Sequence, residues 1–286
     1  MNVRPTRAIV DLDAILSNLD ALRIHAKGRA INAVVKADAY GHGLVPVAQV
    51  LEAAGVEMLS VALVEEGITL RRAGVRTPIL ILSAAYGADY HLLFDHDLTP
   101  IVFDPAQLEA LAASGGSRAR NYHLKVDTGM SRLGLQPEAL EEFLTAARRH
   151  TSLTLTGVMT HYANADDLDE ATNRKQATLF AESLDSVKAA GFTPDWIHTS
   201  NSAATQSFDD GLSTMIRPGL TLFGISPIRR LEAFRPAMRW VTSPVHIKTI
   251  AAGTPVSYGG HWVASRPSRI ATLPVGYADG YPRTLS

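Results

Sequence analysis

Residues 30 to 43 read AINAVVKADAYGHG, and we interpret the rest of the chain outward from this stretch. A mostly apolar run from Ile31 to Val35 ends on Lys36, and Tyr40 lies at the start of the glycine-rich turn that follows. An apolar run bounded by turn residues is typical of a strand buried on both faces of a parallel sheet. In α/β barrels the carboxyl ends of such strands carry the chemistry.

Lys36 therefore has two interpretations. Partial desolvation at the strand end would lower its pKa and make its amine a nucleophile able to form a Schiff base. The alternative is a lysine that extends its amine into water where the strand ends.

Strand-like apolar runs and helix-like segments alternate along the chain after Ala30. The runs end near Lys36, Val61, Leu82, Val102, Val126, Met159, Ser200 and Arg217. The clearest helical segments are Val45–Ala54, Pro105–Ala112, Pro137–Arg148 and Thr172–Ala190. Eight strands alternating with helices predict a (β/α)8 TIM-type barrel. A doubly wound open sheet is the competing architecture, but no Gly-x-Gly-x-x-Gly motif follows the first strand.

The two ends of the chain differ from this alternation. Residues 8–12 predict a short strand, and Asp13 is the predicted N-cap of the next helix. After Ile225 the helical period disappears, and three strands separated by turn residues are predicted: Trp240–Ile250, Val256–Val263 and Ile270–Val275. We therefore predict a barrel over residues 1–228 and an incomplete all-β domain over residues 229–286. Because three strands with open edges are marginal alone, we expect the chain to be truncated.

Composition limits the classes of function. The 286 residues are 46% hydrophobic and 19% charged, which is ordinary for a globular enzyme with a full core. A net charge of −1 without a basic block makes nucleic acid and anionic membranes poor partners. The absence of cysteine excludes disulfides, thiolate catalysis and cysteine-ligated zinc, and it fits a reducing cytosol. The amino terminus has no signal-peptide-like stretch and no apolar run could span a bilayer, so the predicted location is cytoplasmic.

Polar residues follow five of the predicted strands. They are Lys36 with Tyr40, then residues 125–132, 161–164, 198–202 and 217–219. Because the carboxyl ends of barrel strands open at one mouth, we expect these five clusters to face a common site. His91 and His96 show no metal-ligand spacing, and we predict no metal.

The stretch VKADAYGHG, residues 35–43, closely resembles the cofactor-lysine signature of alanine racemases, which are pyridoxal 5'-phosphate enzymes built on a (β/α)8 barrel. Further segments match in the family's order: KVDTGMSRLG (125–134), THYANAD (160–166), HTSNSAA (198–204), IRPG (216–219), VSYG (256–259) and PVGYADGY (274–281). The resemblance extends over essentially the whole chain. It implies an isomerase that interconverts L- and D-alanine through a pyridoxal-phosphate aldimine by two-base proton transfer and supplies D-alanine for peptidoglycan.

The resemblance also implies which residues bind the cofactor. Lys36 would hold it as an internal aldimine. Its phosphate would be bound by four groups: the side chains of Tyr40 and Ser202 and the backbone N–H groups of Gly219 and Leu220.

Arg217 would face the pyridine nitrogen, with His161 beside it. Because a guanidinium does not give up its proton, the cofactor ring would be a weaker electron sink than with a carboxylic acid partner.

Racemisation needs a base on each face of the substrate. Lys36 would serve one face and Tyr258 the other, Tyr258 being contributed by the partner subunit of a homodimer with shared active sites. Arg132 would contact the substrate carboxylate. Lys125 would be carbamylated, so that its new negative charge orients Arg132.

Other interpretations stay open at this point. Without the resemblance, His161 would be an ordinary buried histidine and Asp127 a turn former before Gly129. A non-catalytic pyridoxal-phosphate-binding barrel lacks the Tyr258 segment, and decarboxylases of this barrel type usually present a carboxylate where Arg217 stands. Since full-length racemases continue past PVGYADGY, we also expect a fragment that binds cofactor but has weak or no activity.

Overall fold

The computed structural model describes residues 4–83, 90–114, 120–167, 170–228 and 234–285. Within these ranges the strands are β1 (Arg7–Val10), β2 (Ala30–Val34), β3 (Met58–Val61), β4 (Ile79–Ile81), β5 (Leu98–Val102), β6 (Arg120–Lys125), β7 (Leu153–Met159), β8 (Trp196–His198), β9 (Met215–Ile216), β10 (Met238–Val241), β11 (His246–Ile250), β12 (Pro255–Val256), β13 (Trp262–Val263) and β14 (Ser268–Thr272). The helices are α1 (Leu12–Ala26), α2 (Lys36–Gly41), α3 (Leu44–Ala53), α4 (Val64–Arg72), α5 (His91–Asp95), α6 (Pro105–Ala113), α7 (Leu140–Ala147), α8 (Ala171–Ala189) and α9 (Ala204–Ser207). Short 3₁₀ turns occur at Pro137–Ala139, Leu220–Phe223, Tyr258–Gly260, Tyr277–Asp279 and Arg283–Leu285.

Eight parallel strands form a nearly closed barrel, in the order β8-β7-β6-β5-β4-β3-β2-β9. The first and last strands of this order meet through backbone hydrogen bonds. Thr214 N donates to Ile197 O at 2.8 Å, and Arg217 N donates to Ser200 O at 2.8 Å. The predicted (β/α)8 barrel is confirmed, and we call the contact between β8 and β9 the seam.

The predicted strand ends agree with the structure because the barrel strands are buried on both faces. Residues 31–34 of β2 and all of β3, for example, are buried. One residue from each of five strands contacts the others inside the barrel: Met58, Leu80, Ile101, Met159 and Met215. The barrel is therefore a filled core, and its carboxyl-terminal mouth is where a site can form.

Helix α1 begins at Leu12, and its N-cap is Asp11 rather than the predicted Asp13. The Asp11 side chain accepts a hydrogen bond from Ala14 N at 2.9 Å. Asp11 N donates to Ala237 O at 2.8 Å, which fixes the extended backbone that an N-cap requires. The prediction was wrong by two residues, and Asp13 lies in the first turn.

We expect Asp11→Ala to lower the free energy of unfolding by about 1 kcal/mol, because it removes this cap. Asp11→Asn retains the acceptor and should stay close to the parent. Asp13→Ala loses only the interaction with the helix dipole, a few tenths of a kcal/mol. Urea denaturation measures all three variants, and equal losses for Asp11→Ala and Asp13→Ala would contradict the assigned cap.

The chain divides into two compact units, one of which is Asp11–Ala237. The other combines the segment before Asp11 with the segment from Met238 onward. In it β1 pairs antiparallel with β10, β11 with β14, and β12 with β13. Small antiparallel sheets confirm the predicted all-β character. The predicted boundary at 228/229 stays a prediction, since residues 229–233 lie outside the described residues.

All three predicted strands in this unit are wrong in extent, and Ile270–Val275 corresponds to β14, which begins at Ser268 and ends at Thr272. Trp240–Ile250 is interrupted at residues 242–245, where Pro244 has no N–H to contribute to a ladder. Val256–Val263 is interrupted by a turn that begins at Ser257, whose φ is +65°. No helix in the described part of the chain is long and apolar enough to cross a membrane.

Candidate active site

Lys36 is followed by an uncommon backbone conformation. Residues 37–40 have φ of +53° to +54° and ψ of +37° to +57°, which is a left-handed turn made without glycine. Each such residue costs roughly 1–2 kcal/mol, so neighbouring groups must hold the turn in place. Asp38 Oδ1 accepts from Leu44 N at 2.7 Å, and Glu66 Oε1 accepts from Ala37 N at 2.6 Å. We call residues 37–40 the left-handed turn.

A pocket of about 440 Å³ opens at the carboxyl ends of the barrel strands. Nine of the predicted site residues belong to the barrel unit, and all nine line this pocket: Lys36, Tyr40, Lys125, Arg132, His161, Ser202, Arg217, Gly219 and Leu220. The tenth, Tyr258, belongs to the other unit, where its side chain is 90% exposed.

Arg217 is buried at the base of the pocket, and its guanidinium is held from two sides. Nη1 donates to His198 O at 2.5 Å, and Nη2 donates to Thr160 O at 2.7 Å and Thr199 O at 3.0 Å. Nη2 also lies 3.2 Å from His161 Nδ1. Burial lowers the pKa of Arg217 to about 9, so it stays protonated at neutral pH. The side chain is a fixed cation.

The histidines around Arg217 are neutral acceptors. Burial and the charge of Arg217 hold the pKa of His161 and of His198 well below the usual range. Since a guanidinium only donates, His198 Nδ1, 3.2 Å from Arg217 Nη1, accepts. His198 Nε2 therefore carries the proton and donates to His123 Nδ1 at 2.9 Å. The pocket floor has a defined set of tautomers.

Two lysines enter the pocket with weakened basicity. Burial, with Arg217 and Arg132 nearby, lowers the pKa of Lys125 to about 8. Burial and Arg132 also lower the pKa of Lys36, while Glu66 opposes the shift. With Arg132 and Arg217, these amines make a pocket that favours anionic ligands and in which a neutral amine forms more readily than in water.

Tyr40, Ser202 and Gly219 converge on one side of the pocket. Ser202 Oγ accepts from Gly219 N at 2.8 Å, across the seam. A Cβ built on Gly219 would lie 2.5 Å from Tyr40 Oη, so only glycine permits this approach. Burial raises the pKa of Tyr40, which keeps its hydroxyl protonated and able to donate. Two hydroxyls and a backbone amide thus form a small cradle.

The loop that carries Arg132 is closed by its own backbone. Asp127 Oδ1 accepts from Gly129 N and Ser131 N, both at 3.0 Å. Asp127 therefore forms the turn before Gly129, which was its interpretation without the family resemblance. Leu135 N donates to Lys125 O at 2.8 Å and completes the loop. Arg132 is exposed at the tip and reaches the pocket.

Two acidic residues near the pocket had no role in the sequence interpretation. Asp166 lines the pocket and is the last residue of the quoted THYANAD segment. The sequence therefore places it after a barrel strand but does not show that its side chain reaches the pocket. Glu66 resembles a helix-capping residue in sequence, and nothing in its local pattern connects it with Lys36. Among the residues that the structure describes, no cluster of three or more histidine, aspartate or glutamate side chains suits a metal.

Two family models match the chain. The model described as alanine racemase, N-terminal domain, matches residues 10–227, and the one described as alanine racemase, C-terminal domain, matches residues 237–286.

Individual relatives agree with the family models. The chain is 41% identical to the alanine racemase of Halothermothrix orenii, over 99% of this chain and 76% of that protein. It is 43% identical to the alanine racemase of Sorangium cellulosum, over 99% of this chain and 78% of that protein. The crystal structure of alanine racemase from D-cycloserine-producing Streptomyces lavendulae matches with a TM-score of 0.94 at 35% identity, over 99% of this chain and 77% of that chain.

Proposed function

Because this chain belongs to the alanine racemase family, we propose that it interconverts L-alanine and D-alanine with pyridoxal 5'-phosphate as its cofactor. The observation that carries the proposal is the pocket that Lys36 shares with the cradle of Tyr40, Ser202 and Gly219 and with a buried arginine, Arg217. A racemase of this family needs all three, and one barrel mouth contains them.

The residues present fit the cofactor. When bound, pyridoxal 5'-phosphate withdraws electrons from the substrate Cα and so acidifies its proton. Lys36, whose pKa burial lowers, would hold the aldehyde carbon covalently. Tyr40, Ser202 and the backbone N–H groups of Gly219 and Leu220 would bind the phosphate, with the Gly219 N–H turning to it from Ser202 Oγ. The close approach of Tyr40 to Gly219, which a Cβ would prevent, supports this assignment.

Arg217 would donate to the pyridine nitrogen, with His161 beside it. Because the guanidinium keeps its proton, Arg217 would leave the ring a moderate electron sink. That suits racemisation, which needs the Cα proton removed and returned without side reactions.

The two faces of the substrate would be served by Lys36 and Tyr258. Lys36 would move the proton on one face, and Tyr258 of the partner subunit would move it on the other, in a homodimer with shared sites. A phenol needs nearby cations to release its proton near neutral pH. Arg217 and Arg132 place positive charge at the pocket that Tyr258 would enter.

Arg132 would bind the substrate carboxylate, and Lys125 would position it after carbamylation. A pKa of about 8 leaves roughly a tenth of the Lys125 amine neutral at pH 7. The neutral amine adds to carbon dioxide, forms the N–C bond of a carbamate and releases one proton. The negative charge so formed would attract Arg132.

The family resemblance also implies the biological role. D-alanine made by this chain would supply cell-wall peptidoglycan. The cytoplasmic location stays a prediction.

The proposal is tested by incubating the purified chain with L-alanine and pyridoxal 5'-phosphate and measuring D-alanine. We expect D-alanine to accumulate until the two enantiomers are equal. Cofactor bound at Lys36 without any D-alanine would instead support the non-catalytic cofactor-binding barrel or a racemase fragment without activity.

Tyr258→Phe is expected to lower turnover by roughly 10²–10⁴-fold, the usual contribution of a general acid–base group. The absorbance of bound cofactor should not change, because Tyr258 has no role in cofactor binding. Tyr281→Phe, another exposed tyrosine of the same unit, is the control and should stay near the parent.

A mixture of two variants tests whether Tyr258 of one subunit acts in the site of its partner. Mixing Lys36→Ala with Tyr258→Phe should restore activity, because each mixed dimer has one site with both native residues. Random mixing leaves about a quarter of the sites intact. No recovery after reassociation would contradict delivery of Tyr258 by the partner subunit.

A further inference from the structure

Glu66, in the first turn of α4, connects the ends of two barrel strands through one carboxylate. Its Oε1 accepts from Ala37 N at 2.6 Å, directly after Lys36. Its Oε2 accepts from Ala62 N at 2.8 Å and Leu63 N at 3.0 Å, directly after β3. The two bonds on Oε2 cap α4, but the bond on Oε1 has no part in that helix.

The bond to Ala37 lies where the backbone is least favourable. Ala37 is the first residue of the left-handed turn, and all four residues of this turn lack the conformational freedom of glycine. A charge-assisted bond at the start of the turn fixes the direction in which Lys36 leaves β2. Glu66, a residue of the next βα unit, thus helps to stabilise the unfavourable backbone of the turn.

The negative charge of Glu66 also affects the protonation of Lys36. Lys36 shares the pocket with the guanidinium groups of Arg132 and Arg217, and the charge of Arg132 opposes its protonation. Tyr40 and His161, which also line the pocket, are neutral, and Asp166 is the carboxylate residue that lines it, while Glu66 lies behind the lining. Burial and Arg132 lower the pKa of Lys36, and Glu66 is the group that raises it.

We propose that Glu66 is a positioning residue for Lys36, which holds the left-handed turn that presents the amine and balances the cations around it. This inference rests on the proposed function of Lys36 as the residue that binds the cofactor. It assigns a role to a carboxylate that makes no contact of its own with the predicted phosphate or substrate groups.

The experiment compares Glu66→Gln and Glu66→Ala with Glu65→Gln and Glu65→Ala. Glu65 is the preceding, exposed residue of the same helix turn, so it controls for loss of one charge at this end of α4. Each variant is mixed with pyridoxal 5'-phosphate over a series of pH values and reduced with borohydride. Peptide mass spectrometry then measures the fraction of Lys36 that carries the reduced cofactor.

We expect the pH midpoint of trapping at Lys36 to move down in Glu66→Gln and to stay in place in Glu65→Gln. The direction follows because the neutral amine reacts, and loss of the carboxylate removes the group that raises the pKa of Lys36. Glutamine keeps one carbonyl acceptor, but its NH2 group cannot accept, so this variant removes the charge together with the hydrogen bonds on one of the two oxygens.

Amide hydrogen exchange without cofactor provides the second readout. In Glu66→Ala the exchange of the Ala37 amide should accelerate by about tenfold or more, since a charge-assisted bond is lost. The Glu65 variants should leave it unchanged. If Glu66→Ala does not fold, the Glu66→Gln midpoint still decides.

The outcomes separate the two proposals. If Lys36 is not trapped in the parent chain, the proposed function fails. If the parent is trapped at Lys36 but the Glu66 and Glu65 variants share its midpoint and exchange rates, or if the Glu66→Gln midpoint moves up, the role of Glu66 is wrong and the function stands.

Discussion

Lys36→Ala should abolish racemase activity, with a loss of at least about 10³-fold in kcat/KM. Loss of a general base alone removes roughly 10²–10⁴-fold, and this variant also loses the covalent attachment of the cofactor. Borohydride should then fix no cofactor to the chain, and the absorbance of the protein-bound Schiff base should vanish.

The matched control for this result is Lys175→Ala, at an exposed position of α8. It should retain both the activity and the reducible attachment. Because Lys36 lies at the pocket wall and not in the core, Lys36→Ala should fold, which its circular dichroism spectrum will check. Cofactor fixed to another lysine in the parent chain would contradict the assignment of Lys36.

Lys125→Met should raise the free energy of unfolding at pH 7 by about 3 kcal/mol in buffer free of carbon dioxide. Burial and neighbouring cations lower the pKa of Lys125 from 10.5 to about 8. Each tenfold change in a proton equilibrium is worth about 1.4 kcal/mol, which gives the stated size for this buried amine.

The pH dependence of this stability difference tests whether the buried charge of Lys125 causes it. Below about pH 8 Lys125 is protonated in both states, so the full cost of burying its charge is present. Between about 8 and 10.5 the unfolded chain binds more protons than the folded chain, so the stability of the parent rises with pH relative to Lys125→Met. Urea denaturation at several pH values should show the difference shrinking over this range. Lys175→Met should show no such trend, and a constant difference for Lys125→Met would contradict the explanation.

The barrel could be predicted from sequence because its strands are buried on both faces. Burial makes the runs that end at Val61 and Val102 mostly apolar, and that pattern needs no knowledge of distant partners. The convergence of Lys36 and Arg217 on one pocket then follows from the parallel arrangement alone.

Other features depend on contacts that a local pattern does not contain. The pairing of β1 with β10 joins Arg7 to Val241, far apart in sequence. Asp13 was the predicted cap of α1, and only the bond from Ala14 N in the structure identifies Asp11 instead. The left-handed turn occurs at residues 37–40, where the absence of glycine predicts an ordinary backbone, and its support from Glu66 comes from another βα unit.

The seam between β8 and β9 joins the two ends of the barrel sheet, and the groups that would bind the cofactor phosphate lie on both of its sides. Ser202 follows β8 and Gly219 follows β9, and their hydrogen bond crosses the gap. A phosphate bound by both residues would connect the two ends of the barrel sheet. Cofactor binding would therefore slow local opening at the seam and reduce its cleavage by proteases. The chain without cofactor would then be degraded faster than the chain with cofactor bound.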